Sequence, residues 1–139
     1  MARYSTEGAK QARRGVAAIE FAMVAPIFIF FMFAIIVYGG WFWMAHSVQS
    51  LAAESARSAI GGLDAAEREV LAKGVVASHA KSMGLDPLMT STEVKNNANN
   101  FEVQVTYDAR NHPLMALAVM MPKPPAQIKR TAVVTLEGY

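Results

Sequence analysis

Arg13-Arg14-Gly15-Val16-Ala17-Ala18-Ile19-Glu20-Phe21 decides how the chain is read. A short basic leader meets a long apolar run at this seam, with one carboxylate just inside the apolar side. From Phe21 to Ala45 there are 25 consecutive residues without a charge. At about 1.5 Å of rise per residue, that is helix enough to cross a hydrocarbon core of about 30 Å. The seam therefore predicts a membrane anchor at the N-terminus. Glu20 is the odd residue, because an acid at the edge of an apolar span is costly to keep and marks a functional position.

Working outward, the 139 residues leave room for one small soluble domain beside the anchor. The net charge of +2 divides unevenly. Residues 1–15 hold Arg3, Lys10, Arg13 and Arg14 against Glu7, a net of +3, and residues 16–139 carry 9 basic and 10 acidic groups, a net of −1. The basic character belongs to the leader, so it gives no argument for nucleic-acid binding. A basic flank on one side of the span predicts that the leader stays in the cytoplasm and that the C-terminal part crosses. With no Cys, an exported domain must be held by packing, by the membrane or by partner subunits.

Phe21 to Trp43 is too long and too uniformly apolar for the core of a removed secretory signal. Trp43-Met44-Ala45-His46 also lacks the small residue two before Ala45 that signal peptidase requires. The helix is expected to run from about Val16 to Ile60. His46 to Ile60 contains no Pro or Gly, and Glu54 and Arg57 share a face. Gly61-Gly62 supplies a stop, and Pro26 a bend or a lost backbone bond. Asp64-Ala65-Ala66-Glu67 has the form of a capping box. It predicts a second, amphipathic helix to about Ser82, with Leu63, Val70, Leu71, Gly74, Ala77 and Ala80 on its packed side and Gly84 at its end. Asp86-Pro87 and the Asn96-Asn97-Ala98-Asn99-Asn100 cluster are loop signals.

Phe101, Val103, Val105 and Tyr107 alternate with polar residues, and Ala132, Val134 and Leu136 alternate with Thr131, Val133, Thr135 and Glu137. Each pattern is that of a half-buried strand. Between them, Leu114 to Met121 is apolar and bracketed by Pro113 and Pro122. Periodicity leaves it open as a strand, a short helix or a patch against lipid or a neighbour. The fold class is α+β: a long transmembrane helix with an extension, a second helix and a small antiparallel sheet.

Counted from a cut after Gly15, Glu20 is the fifth residue. The seam resembles the processing site of type IV prepilins, with Gly before the cut, an apolar stretch after it and Glu at mature position five. Phe21, following Glu20, narrows the resemblance to the Flp, or tight-adherence, branch. Residues 13–26 as a whole resemble the start of TadE-like pseudopilins. The resemblance implies a cut after Gly15 by prepilin peptidase. It also implies a place among other pilins, pseudopilins and the assembly machinery of an Flp-type pilus used in adherence and biofilm formation.

The physical chemistry of the seam is consistent with that implication. Gly15 lets an extended backbone enter a membrane protease, and Arg13 and Arg14 hold the site at the headgroups. Cleavage would free the amine of Val16 one helical turn from Glu20, and the pair, within a chain or between chains, would set subunit register. The bland alternative is an ordinary signal anchor with a chance Glu.

The other residues carry less. His46, His79 and His112 have no acid or Cys at ligand spacing, so no metal is expected. Ser47, Ser50, Ser55 and Ser58 are small residues permitting close helix contact, and none has a paired His to make it a nucleophile. Tyr38, Trp41 and Trp43 are expected as an interfacial aromatic belt, the nine Met as adaptable packing, and Arg110 with Lys129-Arg130 as a solvated face. No phosphate loop or cofactor motif is present in the sequence, and the chain reads as an enzyme's substrate rather than an enzyme. The expected organisation is a leader, 1–15, a transmembrane helix with extension, 16–60, and a periplasmic α+β domain, 61–139. The rivals are an uncleaved membrane-tethered periplasmic adaptor and a soluble protein released by a cut near Ala45.

Overall fold

A computed structural model describes residues 5–97 and 99–136, with side chains from residue 15 onward except Met120. Its dominant element is helix α1, Ser5–Ala59. At about 1.5 Å per residue, its 55 residues make a rod on the order of 80 Å long. The helix begins well before Val16. Glu7, Ala9, Lys10, Gln11, Ala12, Arg13 and Arg14 are all strong helix formers, and an isolated Gly costs only about 1 kcal/mol. Pro26 sits inside the helix without ending it. The helix stops where expected, with Gly61 N–H donating to Ser58 O and Gly62 N–H to Ala59 O.

Helix α2, Ala65–His79, begins at the expected cap: Asp64 Oδ1 accepts from Glu67 N–H at 2.8 Å. The return bond of the box goes one residue earlier than expected, from Leu63 N–H to Glu67 Oε2. The packed face of α2 differs from the sequence expectation. Ala72, Val76 and Ala80 are buried, whereas Leu63 and Val70 are 90% and 69% exposed, and Gly74 and Ala77 are exposed as well. Leu71 is half-buried. Apolar residues lie on more than one side of α2, and the side bearing Ala72, Val76 and Ala80 is the one that joins the core with α1. The turn after α2 closes on Gly84, whose φ of +74° lies in the left-handed region, with Leu85 N–H reaching back to Ala80 O at 2.9 Å.

Strands β1 (Thr90–Asn96), β2 (Asn100–Asp108) and β3 (Gln127–Thr135) form an antiparallel sheet with β2 central. β2 and β3 are where the alternation places them. Phe101 faces Val134, Val103 faces Ala132 and Tyr107 faces Ile128. Glu137, at the end of that last alternation, lies outside the described residues. β1 is additional to the two expected strands. Thr90, Thr92 and Val94 are its inward residues and are only half-buried, because β1 pairs on one side alone. The Asn cluster is the β1–β2 turn, closed by Asn97 N–H to Asn100 O at 2.8 Å; Ala98 lies outside the described residues.

The chain from β2 to β3 carries α3, Pro113–Leu117, and a 3-10 turn, Ala118–Met120. Of the three possibilities left open for this run, the structure has the short helix. His112 caps it and Pro113 occupies its first turn. The result is a two-layer α+β arrangement in which the upper part of α1, with α2 beside it, covers one face of the sheet. Met44, Val48, Leu51, Ala52, Ala56 and Ala59 of α1 meet Phe101, Val103, Val105 and Ile128 in one core.

Candidate functional site: the seam and the apolar shaft

The seam residues lie on one uninterrupted stretch of α1. Gly15, Val16, Glu20 and Phe21 are all exposed, and Phe21 shows 73% of its surface. A side chain added at Gly15 would meet nothing within 4 Å. Glu20 stands four residues after Val16, so one helical turn separates its carboxylate from the Val16 backbone nitrogen. The side chains of Arg13 and Arg14 lie outside the described residues. Gly15 is helical here rather than extended. A protease acting at Gly15 must therefore unwind about one turn, which the poor helix propensity of glycine favours.

Beyond the seam the shaft is bare except beside the β2–β3 connection. Ile27, Phe28, Ile29, Phe30, Phe31 and Phe33 are exposed although apolar. It is the one helix among the described residues long and apolar enough to cross a membrane. A helix that is apolar on all sides and uncovered by its own chain needs lipid or other helices around it.

Part of the α+β domain descends beside that shaft. Leu114 lies against Gly40, where an added Cβ would come 2.3 Å from Leu114 Cδ1. Lower down, Pro26, Phe30 and Phe33 of α1 and Leu117, Val119 and Met121 of the β2–β3 connection line a cleft of about 690 Å³. Two aromatic donors tie the connection where it returns upward. Tyr38 Oη donates to Pro122 O at 2.7 Å, and Trp41 Nε1 donates to Pro125 O at 2.9 Å. Trp43 packs against Gly84. These aromatic residues thus clamp the domain onto the helix, a role the sequence did not disclose. The available signal was the uncharged run held between two prolines.

The remaining candidates are structural in their contacts. Ser55 is buried and donates to Leu51 O at 2.7 Å within α1. His79 Nε2 approaches Glu54 Oε1 at 3.8 Å, linking α2 to α1. His112 caps α3, accepting from Leu114 N–H, and His46 is exposed. Among the described residues no three of His, Cys, Asp and Glu cluster as metal ligands would. Arg110 is paired, its Nε donating to Asp108 Oδ1 at 3.0 Å and Oδ2 at 2.9 Å. The guanidinium holds the Asp108 carboxyl below the usual carboxylate range, and the pair fixes the start of the β2–β3 connection.

Residues 15–57 match the family described as TadE-like protein. The match begins at Gly15 and ends two residues before α1 does. The chain thus carries the TadE-like segment that its seam resembles. That match lies within α1, the one helix among the described residues long and apolar enough to cross a membrane. No curated protein and no solved structure matches the chain.

Proposed function

We propose that the chain is a TadE-like pseudopilin, matured by prepilin peptidase between Gly15 and Val16 and acting as an accessory component in Flp-type pilus assembly. In this reading the leader is cytoplasmic and the α+β domain periplasmic, and the protein catalyses nothing itself. Its work is helix–helix docking in the membrane and domain contact outside it. The observation that carries the reading is the seam. Gly15, Val16, Glu20 and Phe21 sit exposed at the foot of a bare apolar shaft, and the family match starts at Gly15. An exposed shaft suits a subunit that exchanges lipid for neighbouring helices, with the Val16 amine and Glu20 specifying register.

Intact-mass measurement on protein from native membranes tests it. Co-expression with the cognate prepilin peptidase is expected to remove residues 1–15. Gly15→Ala should slow the cut more than Arg13→Ala does. A full-length chain in peptidase-positive cells would instead favour the uncleaved, membrane-tethered adaptor, a reading that the unbroken helix through Gly15 supports.

A further inference from the structure

We propose that the segment Leu114–Met121 is a wedge embedded in lipid, entering the hydrocarbon from the domain's side of the membrane and reaching about its middle beside α1. The proposal rests on the reading of α1 as a membrane span, and three observations carry it.

The first is depth. If Glu20 marks one edge of the hydrocarbon, Pro26 lies about 9 Å and Phe33 about 20 Å beyond it, both inside a layer of about 30 Å. Leu117, Val119 and Met121 line a cleft with these residues. Tyr38 and Trp41 lie about 27 and 32 Å from Glu20, at the far boundary where such side chains concentrate. They hold the carbonyls of Pro122 and Pro125, so the connection re-emerges at the level of the headgroups.

The second is charge. From Asn111 to Pro122 there is no Asp, Glu, Lys or Arg, and Arg110 and Lys123 flank the run. The exposed apolar surface of the wedge, with Val119 80% exposed, continues that of the shaft. Arg110 is paired with Asp108, so Lys123, at the end where the run returns, is the charge that suits anchoring at anionic headgroups.

The third is the backbone. An irregular loop exposed to lipid would leave polar groups unsatisfied, which hydrocarbon does not tolerate. This segment is instead a capped α-turn followed by a 3-10 turn. Met115 N–H donates to His112 O at 2.9 Å and Leu114 N–H to His112 Nδ1. Pro113 and Pro122 have no N–H to satisfy. Such a wedge would fix the rotation of the domain on the membrane, and it would have to leave lipid when α1 joins other helices.

The chain has no Cys, so single-cysteine spin labelling is direct. Full-length protein carrying Val119→Cys, Phe28→Cys or Leu63→Cys would be placed in vesicles of phosphatidylethanolamine and phosphatidylglycerol. Collision with oxygen, which partitions into lipid, is then compared with collision with a water-soluble nickel complex. Val119 and Leu63 are largely exposed, so their replacement leaves the core intact. The oxygen-to-nickel ratio at 119 should be severalfold higher than at 63 and close to that at 28. A label at 28 in lipid with 119 in water overturns the wedge and leaves the span standing. A label at 119 shielded from both reagents means that protein covers it, and also overturns the wedge. A label at 28 in water removes the span itself and the wedge with it.

Discussion

The two halves of α1 solve the same problem in opposite ways. Residues 16–36 are the more apolar, yet nearly every large side chain there is exposed. Residues 37–59 are interspersed with Ala, Ser, Gly and Glu, yet Val37, Met44, Val48, Leu51, Ser55 and Ala59 form a buried stripe at helical spacing. Hydropathy therefore does not decide what this chain buries within its own fold. Spacing and side-chain size do. The upper half presents one stripe of small and medium side chains on which the sheet and α2 close, while its bulkiest groups, Phe42 and Trp43, stay largely exposed. The lower half is apolar all round and leaves its covering to lipid or to other helices.

The largest expected effect is on that contrast. Leu51→Ala opens a cavity in the core and should destabilise the domain by about 2–5 kcal/mol, a large share of what a small domain has. Phe28→Ala removes a larger side chain from the shaft and should leave domain stability unchanged to within about 0.5 kcal/mol. Denaturation of the full-length protein in detergent, followed through the aromatic signal of the domain, measures both. Equal losses would mean that the shaft is covered by the chain itself, and the contrast would fail.

A smaller effect is expected at the joint between the halves. Gly84→Ala forces a left-handed backbone that costs an L-residue about 1–2 kcal/mol, and it drives a methyl group to within 2.2 Å of Trp43 Cη2. The ring is the part able to move, so Trp43→Ala combined with Gly84→Ala should cost less than the sum of the two single changes. Strict additivity in that cycle would place Trp43 away from the turn and weaken the clamp.

The contrast was only partly legible in the sequence. β2 was plain because Phe101, Val103, Val105 and Tyr107 are buried between two neighbouring strands and two covering helices, so alternation is strict. β1 was not, because an edge strand needs little apolar content and Val94 alone supplies it. The start of α2 was written in Asp64 and Glu67, since a cap is a local interaction. Its packed face was not, because Ala72 and Val76 were selected over Leu63 and Val70 by the shape of α1, which local sequence does not encode. At the seam, residue types and spacing were readable and the helical state of Gly15 was not. Helix continuity there depends on the leader's propensities outweighing one glycine. The descent of Leu114–Met121 along the shaft was also hidden, as it depends on Tyr38 and Trp41 reaching carbonyls 84 residues away.

The smallest effect on folding is expected where the effect on function should be greatest. Glu20 is exposed at the foot of the shaft, so Glu20→Gln removes a charge without touching the core. Domain stability and membrane insertion should be unchanged, and cleavage at Gly15 largely retained, because the change lies five residues beyond the cut. Assembly is different. Once Val16 carries a free amine at the low-dielectric boundary, the carboxylate one turn away is its natural partner, on the same chain or a neighbouring one. An ion pair there is worth more as a register mark than as stability, because a shifted neighbour leaves both charges unpaired. Co-purification with other pilus subunits, and adherence of the cells, should therefore fall in Glu20→Gln. Glu20→Asp should lie between, since its shorter arm keeps the charge but reaches the amine less well. Glu20→Gln cells that assemble pili and adhere like the wild type would show that the lower half of α1 needs no polar mark. The acid at position 20 would then be incidental to a shaft that works by apolar packing alone.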